Sequence, residues 1–183
     1  AQYEKNHIEA INQFKLAIKK YPKYYEAYNE IGNSFRALDN LDSALYYINK
    51  SLDIKSDFID GFYSRNLIFN YLNKYENAIN DLSVCIDLEK NDLKKIMYIV
   101  NRGQLKSRLK NYKGAILDYN IILENEFDKV IYKDEKYKYG YSNIDAYIGR
   151  SQAFCDLSNF SQAKNDIKKA ILLTEKLNNT EKE

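Results

Sequence analysis

The chain has one proline and six glycines in 183 residues. Sheets and long loops need both residues for their turns, so this scarcity points to helix. Tryptophan is absent, His7 is the one histidine, and Cys85 and Cys155 are the only cysteines. These three residues match no zinc-ligand spacing and no Cys/His nucleophile pair, so no metal or other cofactor is expected. The low cysteine count fits a reducing, cytoplasmic setting better than a disulfide-stapled secreted domain. The glycines are scattered, which excludes a phosphate-cradling loop. No apolar run reaches the roughly 18 residues that a membrane-spanning helix needs. The first residues, Ala1-Gln2-Tyr3-Glu4-Lys5, are too polar for a signal peptide, and the start at Ala rather than Met is expected of a piece of a longer protein. Charge is nearly balanced, 28 Lys+Arg against 26 Asp+Glu, for a net of +2. That gives no bulk attraction to nucleic acid or membrane. Carboxylates alternate with lysines as on solvated helix faces, and no acid/base pair stands out. An enzyme is not expected.

What is present is a repeat. Ala10, Ala44, Ala78, Ala115 and Ala163 each follow a bulky or aromatic residue by three places: His7, Leu41, Tyr75, Tyr112 and Phe160. Four places after each alanine come Phe14, Ile48, Leu82, Tyr119 and Ile167, and seven places after come Ala17, Ser51, Cys85, Ile122 and Ala170. Spacings of three, four and seven mark one face of an α-helix. The small residue admits a close neighbour. A second amphipathic helix precedes four of these five, with Gly32, Asn66, Gly103 and Ser151 at its close-contact position. Polar pairs separate the two helices: Asp39-Asn40, Asn73-Lys74, Lys110-Asn111 and Ser158-Asn159. Asn is a favoured N-cap, so most of these pairs also start the following helix. Nine helices are predicted, one over residues 4–20 and then four hairpins.

The pattern resembles the tetratricopeptide repeat. Residues 25–58 match best, through Tyr28, Ile31-Gly32, Phe35, Leu41-x-x-Ala44, Ile48 and Ser51. Residues 59–92, 96–129 and 144–177 align behind them, and residues 1–24 look like the second helix of a truncated repeat ending at Pro22. The resemblance implies an all-α fold: a single domain over 1–183, built as a right-handed superhelical solenoid of about four and a half repeats. An insert at 130–143 and a tail at 178–183 fall outside the pattern. Lys106 stands where the family has an aromatic, and Phe127 where a turn proline would be. The insert is either helical extension or a Lys/Tyr-rich loop. The uncovered face of the truncated first repeat is expected to fray or self-associate.

Three arginines share one position, Arg65, Arg102 and Arg150, and sixteen residues after each comes Asp81, Asp118 or Asp166. Where Ile31 replaces the arginine, Tyr47 replaces the aspartate. The two features come and go together. A structural ion pair across each hairpin accounts for this, and anion binding by the arginines is the alternative.

In the resembled family the first helices of successive repeats line a groove that receives a peptide from another protein. Carried over by position, the groove would comprise Asn29, Asn33, Asp60, Tyr63, Leu67, Asn70, Tyr71, Met97, Val100, Asn101, Gln104 and Arg108. It would be flanked by Glu26, Glu30, Arg36, Asp145, Ile148, Gln152 and Asp156. Tyr63, Leu67, Tyr71, Met97 and Val100 would form its apolar centre, because they face away from the packing stripe. An origin of the asparagines in codon usage, with the tyrosines lying flat on a rim, is the bland alternative. The carboxylate clamp of chaperone-binding relatives is not matched: Asn33 fits, but its cations are replaced by Asn29, Met97 and Asn101. Acidic residues outnumber basic ones five to two in this groove, which disfavours RNA. The expected function is a non-catalytic scaffold that binds an extended or helical peptide segment of another protein, with no nucleic-acid or membrane partner. The alternative is the targeting module of a larger enzyme or co-chaperone whose catalytic domain lies outside these residues.

Overall fold

The computed structural model describes residues 2–124 and 143–180, with side chains described as far as 175. Among the described residues there are nine α-helices and no strand. They are α1 (Gln2–Lys20), α2 (Tyr25–Ala37), α3 (Leu41–Ile54), α4 (Ile59–Tyr71), α5 (Tyr75–Leu88), α6 (Asp92–Arg108), α7 (Tyr112–Glu124), α8 (Asn143–Asp156) and α9 (Phe160–Thr180). The all-α helical-repeat expectation holds. Phe127 and all of the 130–143 insert except Asn143 lie outside the described residues; Asn143 itself is buried and opens α8.

The chain divides into two compact units, Ala1–Leu88 and Glu89–Glu183. In the first, each helix from α1 to α5 packs on the next, and α2 also touches α4. In the second, α6 packs on α7, α7 on α8 and α8 on α9, and α6 also touches α8. Contacts between neighbours and between alternate helices are what stacked helical hairpins produce.

The small residues earn their positions through this stacking. Ala44, Ala78 and Ala115 are fully buried and Ala163 nearly so. A Cβ added to Gly32 would lie 2.5 Å from Ile48 Cγ1 and 3.0 Å from the Ala44 carbonyl oxygen, so α2 and α3 could not stay this close. In the second unit the Tyr119 ring is held between two glycines. An added Cβ would come within 2.9 Å of it at Gly103 and 2.5 Å at Gly149. Burial pushes the Tyr119 phenol up to about 12, against a smaller opposing effect of its hydrogen bond with Ser107. One core cluster of the first unit is Ala44, Ile48, Leu52 and Ile68, edged by Phe35, Phe58 and Phe62. Each fully buried isoleucine there contributes roughly 1.5–3 kcal/mol relative to an exposed one.

Four turns close the hairpins in one way. Asp39, Asn73, Lys110 and Ser158 all take a left-handed backbone, φ 57–59°, although none is glycine. The next residue's N–H reaches back to a carbonyl in the last helical turn, Asn40 to Phe35 at 2.9 Å and Lys74 to Phe69 at 2.8 Å. The pattern recurs from Asn111 to Lys106 and from Asn159 to Phe154. This is the Schellman closure, which satisfies carbonyls that the helix leaves orphaned. The chain's poverty in glycine therefore carries strain, on the order of 1 kcal/mol for a non-glycine residue here. Asn40 and Asn111 then cap the following helices, their Oδ1 atoms accepting from the N–H groups of Ser43 and Gly114.

Candidate protein-binding surface

Each hairpin encloses a socket at the position of the three arginines. In α4–α5, Arg65 donates from Nε and Nη2 to the two carboxylate oxygens of Asp81 at 2.9 and 2.7 Å. Its guanidinium also lies over the rings of Phe62 and Phe69, 5.4 and 5.8 Å from their centroids. In α8–α9, Arg150 binds Asp166 in the same two-pronged way, at 2.7 and 2.8 Å, between Tyr147 and Phe154. In α6–α7, Arg102 reaches Asp118 at 3.1 and 2.7 Å, and Ile99 and Lys106 occupy the flanking positions. Lys106 does not leave a gap there: its Nζ lies 2.8 Å from Asp118 Oδ2. In α2–α3 the socket holds no charge. Tyr47 lies stacked on Phe35 at 5.5 Å and beside Tyr28 at 6.4 Å, where the other hairpins place a guanidinium.

The structure brings together Arg65 with Asp81, Arg102 with Asp118 and Arg150 with Asp166. The aspartates are buried, at most 5% exposed at the side chain, and the arginines 16–23% exposed. A bidentate, shielded pair of this kind is not a free anion site.

The sockets of Arg65 and Arg150 are also tied to the preceding hairpin, which the sequence reading missed. Arg65 Nη1 donates to Asn49 Oδ1 at 2.8 Å, and Arg150 Nη1 donates to Asn120 Oδ1 at 2.6 Å. Asn49 and Asn120 each sit five places after the repeat's alanine, Ala44 or Ala115. The same position in α1 is Lys15, five places after Ala10, and its Nζ lies over Phe35 and Tyr47 at 5.6 and 5.9 Å. An acceptor thus faces the socket that holds a cation, and a cation faces the socket made of rings.

The outward faces of the first helices carry the residues expected to bind a partner. In the first unit α2 and α4 lie side by side. Glu30 and Asp60 are exposed, Tyr71 is 66% exposed, and Asn33, Tyr63, Leu67 and Asn70 are half-buried. Asn29 is a correction to the expected groove: it is 3% exposed, and its Oδ1 finds no hydrogen-bond partner. In the second unit Gln104 and Arg108 are exposed, and Met97 and Asn101 half-buried. Val100 is also a correction, being fully buried and unable to offer apolar surface. The reason is that a first helix has two packing sides. On α6 the buried Ile96, Ile99, Val100 and Gly103 share an arc of about 100°, so Val100 belongs to the packing stripe, and Tyr98 and Leu105 are buried on nearly the opposite side.

The end helices differ. On α1 the exposed Tyr3, Ile8 and Leu16 point in different directions, with Ile8 about 140° and Leu16 about 220° around the helix from Tyr3. They form no single apolar face. On α8 and α9 an open cleft of about 250 Å³ is lined by Ile144, Ile148, Ile167, Ala170 and Ile171, with Thr174 and Glu175 at its end. Among the described residues no cluster of three or more His, Cys, Asp or Glu could hold a metal, and no helix is long and apolar enough to cross a membrane.

No family model matches the chain. One curated relative is a UDP-N-acetylglucosamine–peptide N-acetylglucosaminyltransferase of Giardia intestinalis, 30% identical over 80 residues. The match spans 44% of this chain but about 5% of that enzyme's length. Solved structures resemble nearly the whole chain. The crystal structure of MamA superposes with a TM-score of 0.73 over 96% of this chain and 86% of that one, at 19% identity. BtubC from P. vanneervenii gives 0.73 over 97% and 76%, at 14% identity. YrrB, described as a tetratricopeptide-repeat protein with an unusual peptide-binding site, gives 0.52 over 86% and 90%, at 15% identity.

Proposed function

We propose that the chain, whose fold is that of the tetratricopeptide-repeat proteins, is a non-catalytic scaffold that binds a peptide segment of another protein. The observation that carries this is the joint face of α2 and α4. Tyr63, Leu67 and Tyr71 form an apolar stripe there, beside the exposed carboxylates of Glu30 and Asp60. Aromatic anchors supply most of the energy of protein interfaces. Asn33 and Asn70 can donate to and accept from the backbone of an extended segment. Carboxylates at the edge favour a ligand with Lys or Arg next to its apolar residues, and they speed encounter at low salt. YrrB's peptide-binding site supports the same use of this fold. On α6 of the second unit, Met97, Asn101, Gln104 and Arg108 offer a smaller face of the same kind. The Cys85 thiol donates to the Ile59 carbonyl oxygen and Cys155 is an exposed free thiol, in keeping with a reducing, cytoplasmic setting.

The test is display selection of random peptides against the chain, followed by titration of the selected sequence. Tyr71→Ala and Tyr63→Ala should each weaken binding by about 1–3 kcal/mol, and selected peptides should carry basic residues. Binding that survives both changes removes the proposal. A second reading rests on the Giardia match: the chain would be the partner-recognition part of a larger enzyme, with catalysis elsewhere. A catalytic domain encoded in the same open reading frame would establish it, and a frame without one would exclude it.

A further inference from the structure

The cleft between α8 and α9 is apolar and open, and it shares only Ile148 with the residues expected to line or flank the peptide groove. Ile148 is 49% exposed, Ile167 40% and Ile171 51%, and Phe160 continues the same seam at 66%. The spacing of Phe160, Ile167 and Ile171, seven and then four residues, keeps them along one side of α9. Exposed charges run beside this seam. Lys164 and Lys168 lie in the first half of the helix and Glu175 in the second. Lys164 and Glu175 are eleven residues apart, about three turns, so they share one flank of the helix roughly 16 Å apart. The midpoint between them falls between Ile167 and Ile171.

Reversed on itself, this flank brings Lys164 to Glu175 at both ends, while Lys168 comes beside its own copy near the midpoint. We propose that the α8–α9 face joins two copies of the chain about a two-fold axis, with each α9 antiparallel to the other. In that arrangement residues on the same flank meet across the axis. Lys164 of each copy then faces Glu175 of the other, while Ile167 and Ile171 pack over the axis and into the cleft beside Ile148. Parallel packing would leave these ion pairs unmade, because it sets like residues at one level on opposite flanks of the seam. The exposed apolar residues of α1 offer no continuous seam to fill the cleft instead. One segment supplies the apolar seam and both members of two symmetric ion pairs, so the complementary partner of this surface is another copy of it.

Sedimentation equilibrium of the 183-residue chain, from micromolar to millimolar, tests this directly. The expected result is a monomer–dimer equilibrium with nothing larger. Ile171→Asp should leave a monomer with unchanged helical circular dichroism. The charge variants decide the geometry without disturbing the core. Lys164→Glu alone, or Glu175→Lys alone, should raise the dimer dissociation constant about tenfold or more, because the symmetry repeats each repulsion. The double variant, Lys164→Glu with Glu175→Lys, should restore it to within about threefold of the original, because both pairs re-form in reverse. A monomer at every concentration would overturn the proposal. So would open-ended association, single reversals without effect, or a double variant no better than the singles.

Discussion

The hairpins α2–α3 and α4–α5 have the same dimensions, 13 residues followed by 14, and each closes through one left-handed residue, Asp39 or Asn73. Their interiors differ in kind. One holds Tyr47 among rings, and the other holds Arg65 among rings with Asp81 behind it. What is common is the aromatic bracket, Tyr28 and Phe35 in one and Phe62 and Phe69 in the other. A flat group of the right thickness satisfies it, whether phenol or guanidinium. The socket's shape thus sets the hairpin and its chemistry is open to exchange, but only as a pair. A buried carboxylate tolerates its burial through its cation, so Asp81 requires Arg65 in a way that Tyr47 requires nothing charged.

The largest effect should come from breaking that dependence. Arg65→Ala leaves Asp81 buried without its guanidinium and should cost about 2–4 kcal/mol in chemical denaturation. Converting one socket into the other is the sharper experiment. Arg65→Ile together with Asp81→Tyr should cost less than about 1.5 kcal/mol, since the double change copies a pairing that α2–α3 already accommodates. A double variant as damaged as Arg65→Ala would show that the α4–α5 socket is shaped for guanidinium alone. The α6–α7 hairpin, which lacks the bracket, offers an intermediate case. Lys106→Met should cost about 1 kcal/mol, because Asp118 keeps Arg102. The smallest effects belong to the links between hairpins. Asn49→Ala should cost about 0.5–1 kcal/mol and Lys15→Ala about 0.5 kcal/mol, resolved as faster hydrogen exchange in α3 and α4 or in α1 and α2 respectively.

The helices and the hairpin pairing were legible because both depend on short, fixed spacings. Periods of three, four and seven define a helix face, and the sixteen-residue separation of each arginine from its aspartate is the same in three hairpins. Links to the preceding hairpin have no such constancy. Arg65 and Asn49 are sixteen residues apart but Arg150 and Asn120 are thirty, because the extra residues before α8 fall between them. Only alignment on the repeat's alanine exposes the shared position. Lys106 was legible as a departure from the pattern, but its partner was not, since Asp118 was already matched to Arg102. Val100 was misread for a geometric reason. A one-dimensional face assigns each residue to the packing stripe or to its opposite, whereas α6 is buried over a wide arc that includes Val100 and again on the far side at Tyr98 and Leu105. Asn29 fails in the same way on α2, which touches both α3 and α4.

The glycine bracket around Tyr119 has a spectroscopic consequence. The chain has 18 tyrosines and no tryptophan, so its near-ultraviolet signal comes from phenols and phenolates. Phenols open to solvent ionise as fast as solutions mix when the pH is raised. Tyr119, with its phenol pushed up to about 12, does not, because Gly103 and Gly149 hold it where a phenolate is poorly solvated. Its folded pKa lies above the unfolded one, so it favours the folded state below pH 10 and loses that contribution as pH rises toward 12. In a jump to a pH between those values, the phenolate of Tyr119 forms only when α6, α7 and α8 part. The delayed rise in tyrosinate absorbance that disappears in Tyr119→Phe therefore times the opening of this layer, with no label attached to the protein.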